Sequence, residues 1–381
     1  MPPPTRITVR RTASVLALSF IASACATTKH QEIVFPPPPD KARIQYVRSI
    51  VTQDDVDKSI WHKISMALLP RDSANAILAP TSLALSPDET TLYAALPNRG
   101  RVVAFNVKSG DFRGIGVGGR SPLTRPVGVA VDASGVIYVT DRPANVVVAY
   151  SPSGDILRKF GREELVEPTG IAVDRRNQRV YVVNDGSRNE GRHAIEVYSL
   201  AGKHLATIGG GASNEPGRFF FPRSVSVSRR GEVYVADMLN FRVQVFDPRG
   251  GLLRMFGQAG ADFPGQFDKI HAVAIDTFDN VYVADVVQGV HILGSDATPL
   301  MIFGPPVARA PSAIVIDSKN TIYVGDLVAG VHEFKLVNTT REDSKRKPQG
   351  ASGASSAPAV IPTPPAPAAV PTPPAPPSAK K

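Results

Sequence analysis

The sequence predicts an all-β fold: a six-bladed β-propeller whose ring is closed by a strand lying before the first blade. Three observations predict it. An alternating apolar strand, a short turn and a Tyr-Val-acid phrase recur six times along the chain. The tyrosines of that phrase stand 45, 43, 53, 48 and 41 residues apart, which is the period of a propeller blade. The last repeat runs one strand short, while a strand-like stretch at 43–50 has no repeat of its own.

The first copy is worn, with Leu83-Ala-Leu-Ser86 before Tyr93. The other five pair Val129-Ala-Val-Asp132 with Tyr138, Ile171-Ala-Val-Asp174 with Tyr181, Val225-Ser-Val-Ser228 with Tyr234, Val273-Ala-Ile-Asp276 with Tyr282, and Ile314-Val-Ile-Asp317 with Tyr323. Alternation sets Tyr and Val on opposite faces of a twisted sheet, as blades stacked face to face require. The blades are expected near 80–118, 125–161, 167–209, 221–257, 269–304 and 310–337, within a domain spanning 42–338. Residues 43–50 are expected to supply the outermost strand of blade six, which leaves no large sheet edge open. Ile60, Trp61, Ile64 and Leu68 fall at helical spacing, so 57–69 is expected as an amphipathic cap.

Blade four shows the unit most fully. Asp237, Asn240, the strand Arg242-Val-Gln-Val-Phe246 and the closing Phe256-Gly257 resemble the NHL-repeat family, whose consensus has an aspartate, an asparagine, a strand and a terminal Phe-Gly at these places. The likeness covers roughly 42–337. It is similar to that of bacterial NHL-repeat lipoproteins, which implies a scaffold or recognition module of the cell envelope.

The two ends give an address. A basic start with Arg6, Arg10 and Arg11 precedes an apolar run at 15–21 that is too short to span a bilayer. Ala22, Ser23 and Ala24 then lead to Cys25, the only cysteine. This resembles the lipobox of bacterial lipoproteins, with Ala22 where a larger aliphatic residue is usual. It implies a signal peptide at 1–24, lipidation of Cys25 and a membrane anchor. Ala26 in place of Asp implies the outer membrane. Residues 25–41 are expected as a linker, with Pro36-Pro-Pro-Pro39 as a polyproline spacer. Residues 339–381 are rich in Pro and Ala and cannot offset their ordering entropy by burial, so a disordered tail is expected.

Charge and composition exclude several functions. The net charge is +9, but the two ends hold most of it and the middle carries only +2, too little for a nucleic-acid binder. One cysteine excludes an internal disulfide framework and a cysteine-based zinc site. Some NHL relatives are zinc-dependent amidating lyases, and zinc there needs convergent histidines. Only His271 is placed for axial work. His291 and His332 read as blade-surface residues, and His193 and His204 belong to blade three. No cofactor and no metal set is expected, and no catalytic group is assigned.

Binding is therefore expected at the channel mouth, on the face made by the fourth-to-first and second-to-third strand loops. The innermost strands begin at Thr81, Val127, Thr169, Arg223, His271 and Ser312, and the second-to-third turns add Asp141, Asn184, Asp185, Asp237, Asp285 and Asp326. Arg223 and His271 are equivalents in adjacent blades, suited to an anionic group on a protein or peptide partner. The repeated acids also suit a structural task, because an acid ending a strand before a tight turn accepts backbone N–H bonds. Two alternatives stand beside a binding role: a metal-dependent lyase or hydrolase with an axial ion, for which Glu167, Asn184 and Asp237 are available, and a glycan-binding propeller.

Overall fold

The structure is a computed structural model that describes residues 32–52, 55–56, 76–118, 122–186, 191–340 and 342. The signal peptide, Cys25, the amphipathic stretch 57–69 and the tail from 343 onward lie outside the described residues.

Before the first blade come β1 (Val34–Phe35) and β2 (Ile44–Ile50). Blade one holds β3 (Ser82–Leu85), β4 (Thr91–Leu96), β5 (Arg101–Asn106) and β6 (Phe112–Ile115). Blade two holds β7 (Pro126–Val131), β8 (Ile137–Asp141), β9 (Val146–Tyr150) and β10 (Ile156–Phe160). Blade three follows with β11 (Pro168–Asp174), β12 (Arg179–Asn184), β13 (Ala194–Ser199) and β14 (His204–Gly209). Blade four holds β15 (Pro222–Val227), β16 (Val233–Asp237), β17 (Arg242–Phe246) and β18 (Leu252–Phe256). A short parallel pair, β19 (Gln258–Ala259) and β20 (Gln266–Phe267), precedes blade five. That blade is β21 (Ile270–Ile275), β22 (Val281–Asp285), β23 (Gly289–Leu293) and β24 (Pro299–Phe303). Blade six has only β25 (Pro311–Ile316), β26 (Thr321–Asp326) and β27 (Gly330–Leu336) of its own.

The missing strand is β2. It pairs antiparallel with β27, from Ile44 opposite Leu336 to Ile50 opposite Val331. Arg48 reinforces the closure, its Nε 2.7 Å from Glu333 Oε2 and a second guanidinium nitrogen 3.0 Å from the Val107 carbonyl in blade one. The innermost strands β3, β7, β11, β15, β21 and β25 touch in that order, and β25 returns to β3. Among the described residues the apolar core falls into six clusters, one at each interface between neighbouring blades. Each fully buried Val or Ile there contributes about 1.5–3 kcal/mol, so stability is spread around the ring.

The recurring phrase has a physical basis at both ends. The first acid turns the chain: Asp132 Oδ1 accepts from the Ser134 and Val136 N–H groups, while the Tyr138 hydroxyl donates to Oδ2 at 3.1 Å. Asp276 and Tyr282 repeat this in blade five. Burial of these rings pushes the Tyr138 hydroxyl up to about 12. Gly-x-Phe pairs fill the interblade loops, with Phe219 and Phe267 fully buried. Gly257, at φ +101°, lies where a Cβ would collide with the Phe267 ring.

Two expectations are corrected here. Pro36–Pro39 lies inside the folded domain, between β1 and β2, and not ahead of it. It reverses the chain between β1 and β2, and β1 adds a fifth strand to blade six. Phe35 packs its ring 6.0 Å from Phe303 and 6.4 Å from Phe334, and this apolar contact holds the hairpin down. His291 and His332 are not on a blade surface but buried, His291 under the loop that leads into its own blade and His332 beside β2. His291 Nδ1 accepts from the Gly265 N–H at 3.2 Å, as Gln244 Oε1 in blade four accepts from Gly217 at 2.9 Å. His332 Nδ1 lies 2.8 Å from the Ser49 hydroxyl.

Candidate functional site

A channel of about 690 Å3 runs along the axis between the six innermost strands. Its upper mouth is the end where those strands begin, beside the second-to-third turns. The lining includes Thr81, Val127, Thr169, Arg223, His271 and Ser312, all six residues expected at the strand starts.

Most of the expected rim residues turn out to hold the ring together. The Thr81 hydroxyl donates to the Val127 carbonyl of blade two at 2.8 Å, and the Ser312 hydroxyl to the Pro80 carbonyl of blade one at 2.6 Å. The turn acids point into backbone. Asp141 accepts from the Thr124 and Arg125 N–H groups, and Asn184 Oδ1 from Val166. Asp285 takes the N–H groups of Asp268, Lys269, Val287 and Gln288, and Asp326 those of Ala310, Val328 and Ala329. Asp237 accepts from the Phe220 N–H and from Asn240, Arg242 and Gln244. All five are buried, and each fastens a loop to its own blade. Burial raises the Asp237 and Asp276 carboxyls above the usual range.

Asp185, Thr169, Arg223 and His271 remain. Asp185 follows β12 and is buried, with Oδ2 3.5 Å from Arg223 and 3.2 Å from Arg142, while Oδ1 has no hydrogen-bond partner among the described residues. Arg142, on the turn after β8, also meets Glu167 at 2.6 Å. A chain of four charges thus runs along the mouth over blades two to four, and the exposed Arg125 and Lys269 flank it. Burial raises the Asp185 carboxyl, against the pull of Arg223 and Arg142. The same burial lowers the Arg223 guanidinium, which nonetheless stays protonated as arginines do. His271 is pushed down to about 4 by burial first and then by Arg223 and Lys269. It therefore lines the channel at neutral pH as an uncharged donor or acceptor beside Arg223. The Thr169 hydroxyl, also buried, has no hydrogen-bond partner among the described residues.

Sequence reasoning missed Arg142 and the role of His193. His193 is buried, its ring 4.5 Å from Phe221 and 5.8 Å from Phe220. The His193 ring is one of the influences that lower the Asp185 carboxyl in opposition to burial. Glu167 and Phe221 hold left-handed φ values of 53° and 54° just before Pro168 and Pro222, so backbone strain sits at this same mouth. The available signal was the 53-residue spacing after Tyr181, the longest of the five, which lengthens the blade-three turn. Among the described residues no three His, Cys, Asp or Glu side chains converge as a metal set.

No protein-family model matches the chain. The protein brain tumor of Drosophila melanogaster is 30% identical over 154 residues, which are 39% of this chain and 14% of that relative. The chain thus spans a small part of the curated relative it matches. A catalytically inactive virginiamycin B lyase from Staphylococcus aureus with quinupristin superposes at a TM-score of 0.53 and 14% identity, over 71% of this chain and 83% of that one. A streptogramin B lyase superposes at 0.51 and 12% identity, over 68% and 93%. This is a six-bladed β-propeller with NHL-like neighbours. At such identities the solved structures bear on fold alone.

Proposed function

We propose that the protein is a binding module that docks a protein or peptide segment at the upper channel mouth, and that it is held at the bacterial outer membrane by lipidated Cys25. One observation carries the binding reading. Thr81, Ser312, the four clamping aspartates and Asn184 are engaged by the fold, whereas Arg223, Thr169 and His271 line an open cavity and Arg142 and Asp185 adjoin it through the Arg223 ion pair. Cations there, with an uncharged imidazole beside them, suit an anionic group presented by a partner. Among the described residues the cavity lining holds no Phe, Tyr or Trp on which a sugar ring would stack, which disfavours the glycan reading.

The test is capture of partners from solubilised envelopes by the full chain, with and without Arg223→Ala and His271→Ala together. Loss of a specific partner in the double variant is the expected result, and unchanged capture contradicts a mouth-centred site. A second reading, a lyase or hydrolase, is favoured by one feature: His271 is an unprotonated imidazole at neutral pH on a cavity wall. A stoichiometric metal ion in the purified protein would move the balance to the metal-dependent form of that reading.

A further inference from the structure

The upper face is divided in two. Over blades two to four it carries the charge chain of Arg142, Glu167, Asp185 and Arg223. Over blades four to six the second-to-third turns carry Leu239, Val287 and Val328, exposed by 39%, 59% and 65%. These three hold one equivalent position, two residues after the acids Asp237, Asp285 and Asp326. Turn tips ordinarily take Gly, Asn, Asp or Ser, and blade three has Gly186 at this place. The apolar side chains sit on anchored backbone, because Asp285 accepts from the Val287 N–H and Asp326 from the Val328 N–H. An apolar group repeated on three consecutive blades, facing water on fixed turns, is the pattern of a contact surface.

The far end of the channel differs. Arg175, at the end of blade three's innermost strand, reaches the carbonyls of Val131 in blade two at 3.2 Å and Leu85 in blade one at 3.4 Å. Glu89 of blade one meets Ser318 of blade six through both oxygens, at 2.8 and 2.6 Å. These bonds tie four blades together across the far mouth.

Resting on the mouth-centred binding reading, we infer that the occupant is the C-terminal end of a partner chain: apolar residues lie along Leu239, Val287 and Val328, and the free carboxylate enters the mouth beside Arg223 and Arg142. Glu167 and Asp185 offset the charge of Arg142 and Arg223, and the flanking Arg125 and Lys269 leave this side of the mouth with an excess of cations that a carboxylate complements better than an amino terminus.

The probe is a library of hexapeptides with apolar residues at variable positions, offered to the full chain once with free C-termini and once amidated. Free acids should be retained about tenfold better than amides, the scale of one charge-assisted hydrogen bond. Arg223→Gln should abolish that preference, and Val287→Asp, on an exposed turn that leaves the fold intact, should weaken retention of acids. Equal retention of acids and amides overturns the C-terminal assignment and leaves the mouth as a docking site. Retention of neither overturns it too, and partner capture insensitive to Arg223 and His271 is what separately sinks the mouth reading.

Discussion

At the residue scale, the buried third-strand histidines make stability depend on pH. His291 must stay neutral, because its Nδ1 accepts the Gly265 N–H, and burial pushes its pKa down to about 4. Between about pH 6.5 and 4 the unfolded chain takes up a proton that the folded chain refuses, so stability falls as pH drops through that window. Asp185, Asp237 and Asp276 act in the opposite sense. Their raised pKa values favour the folded state in acid, and that contribution is lost as pH rises through them. Glutamine does the same work in blade four, so His291→Gln should keep the clamp and flatten the acid loss by roughly 1–2 kcal/mol between pH 7 and 5. Urea midpoints at the two pH values check this, and an equal acid loss in variant and parent would contradict it. The clamp was not legible in the sequence. The equivalence of His291, His332 and Gln244 was visible, but that the loop entering the same blade folds over this position in blades four and five follows only from the folded structure. Arg223 and His271 were legible as strand starts. The Asp185 partner that half-neutralises Arg223 was not, since it crosses between blades on a lengthened loop.

At the element scale, β2 decides whether the propeller is a ring. Without it, β27 is an open edge with unpaired backbone groups on a largely buried strand, a template for pairing with another chain. A chain lacking residues 33–50 should unfold at much lower urea and self-associate in sedimentation, whereas Phe35→Ala should cost about 2 kcal/mol and stay monodisperse. A truncated chain that is monodisperse with an unchanged midpoint would contradict the closure. The closure itself could be read in the sequence from a simple count: three strands in blade six and one spare before blade one. The fifth strand could not. A proline run reads as a spacer until Phe303 and Phe334 are seen to offer Phe35 a place, and those rings come from two different blades. The turn acids were legible as both rim and clamp, and the count of their backbone bonds decides for the clamp.

At the scale of the whole molecule, division of labour between the two faces explains the arrangement. Hydroxyls and acids at the strand starts lock adjacent blades and loops, the far mouth is tied by Arg175 and Glu89, and uncommitted polar and apolar side chains collect above. The six interfaces share the core, so the upper face tolerates substitution without loss of the ring, and binding variants there are expected to remain folded. The most direct test of a partner site on that face is photocrosslinking with one photoreactive residue at a time, placed at Val287 on the upper face or at Arg176 on the far face, in the full chain within its native envelope. Specific crosslinks from position 287 with none from 176 are the expected result. Crosslinks from 176 alone, or equally from both, would contradict it.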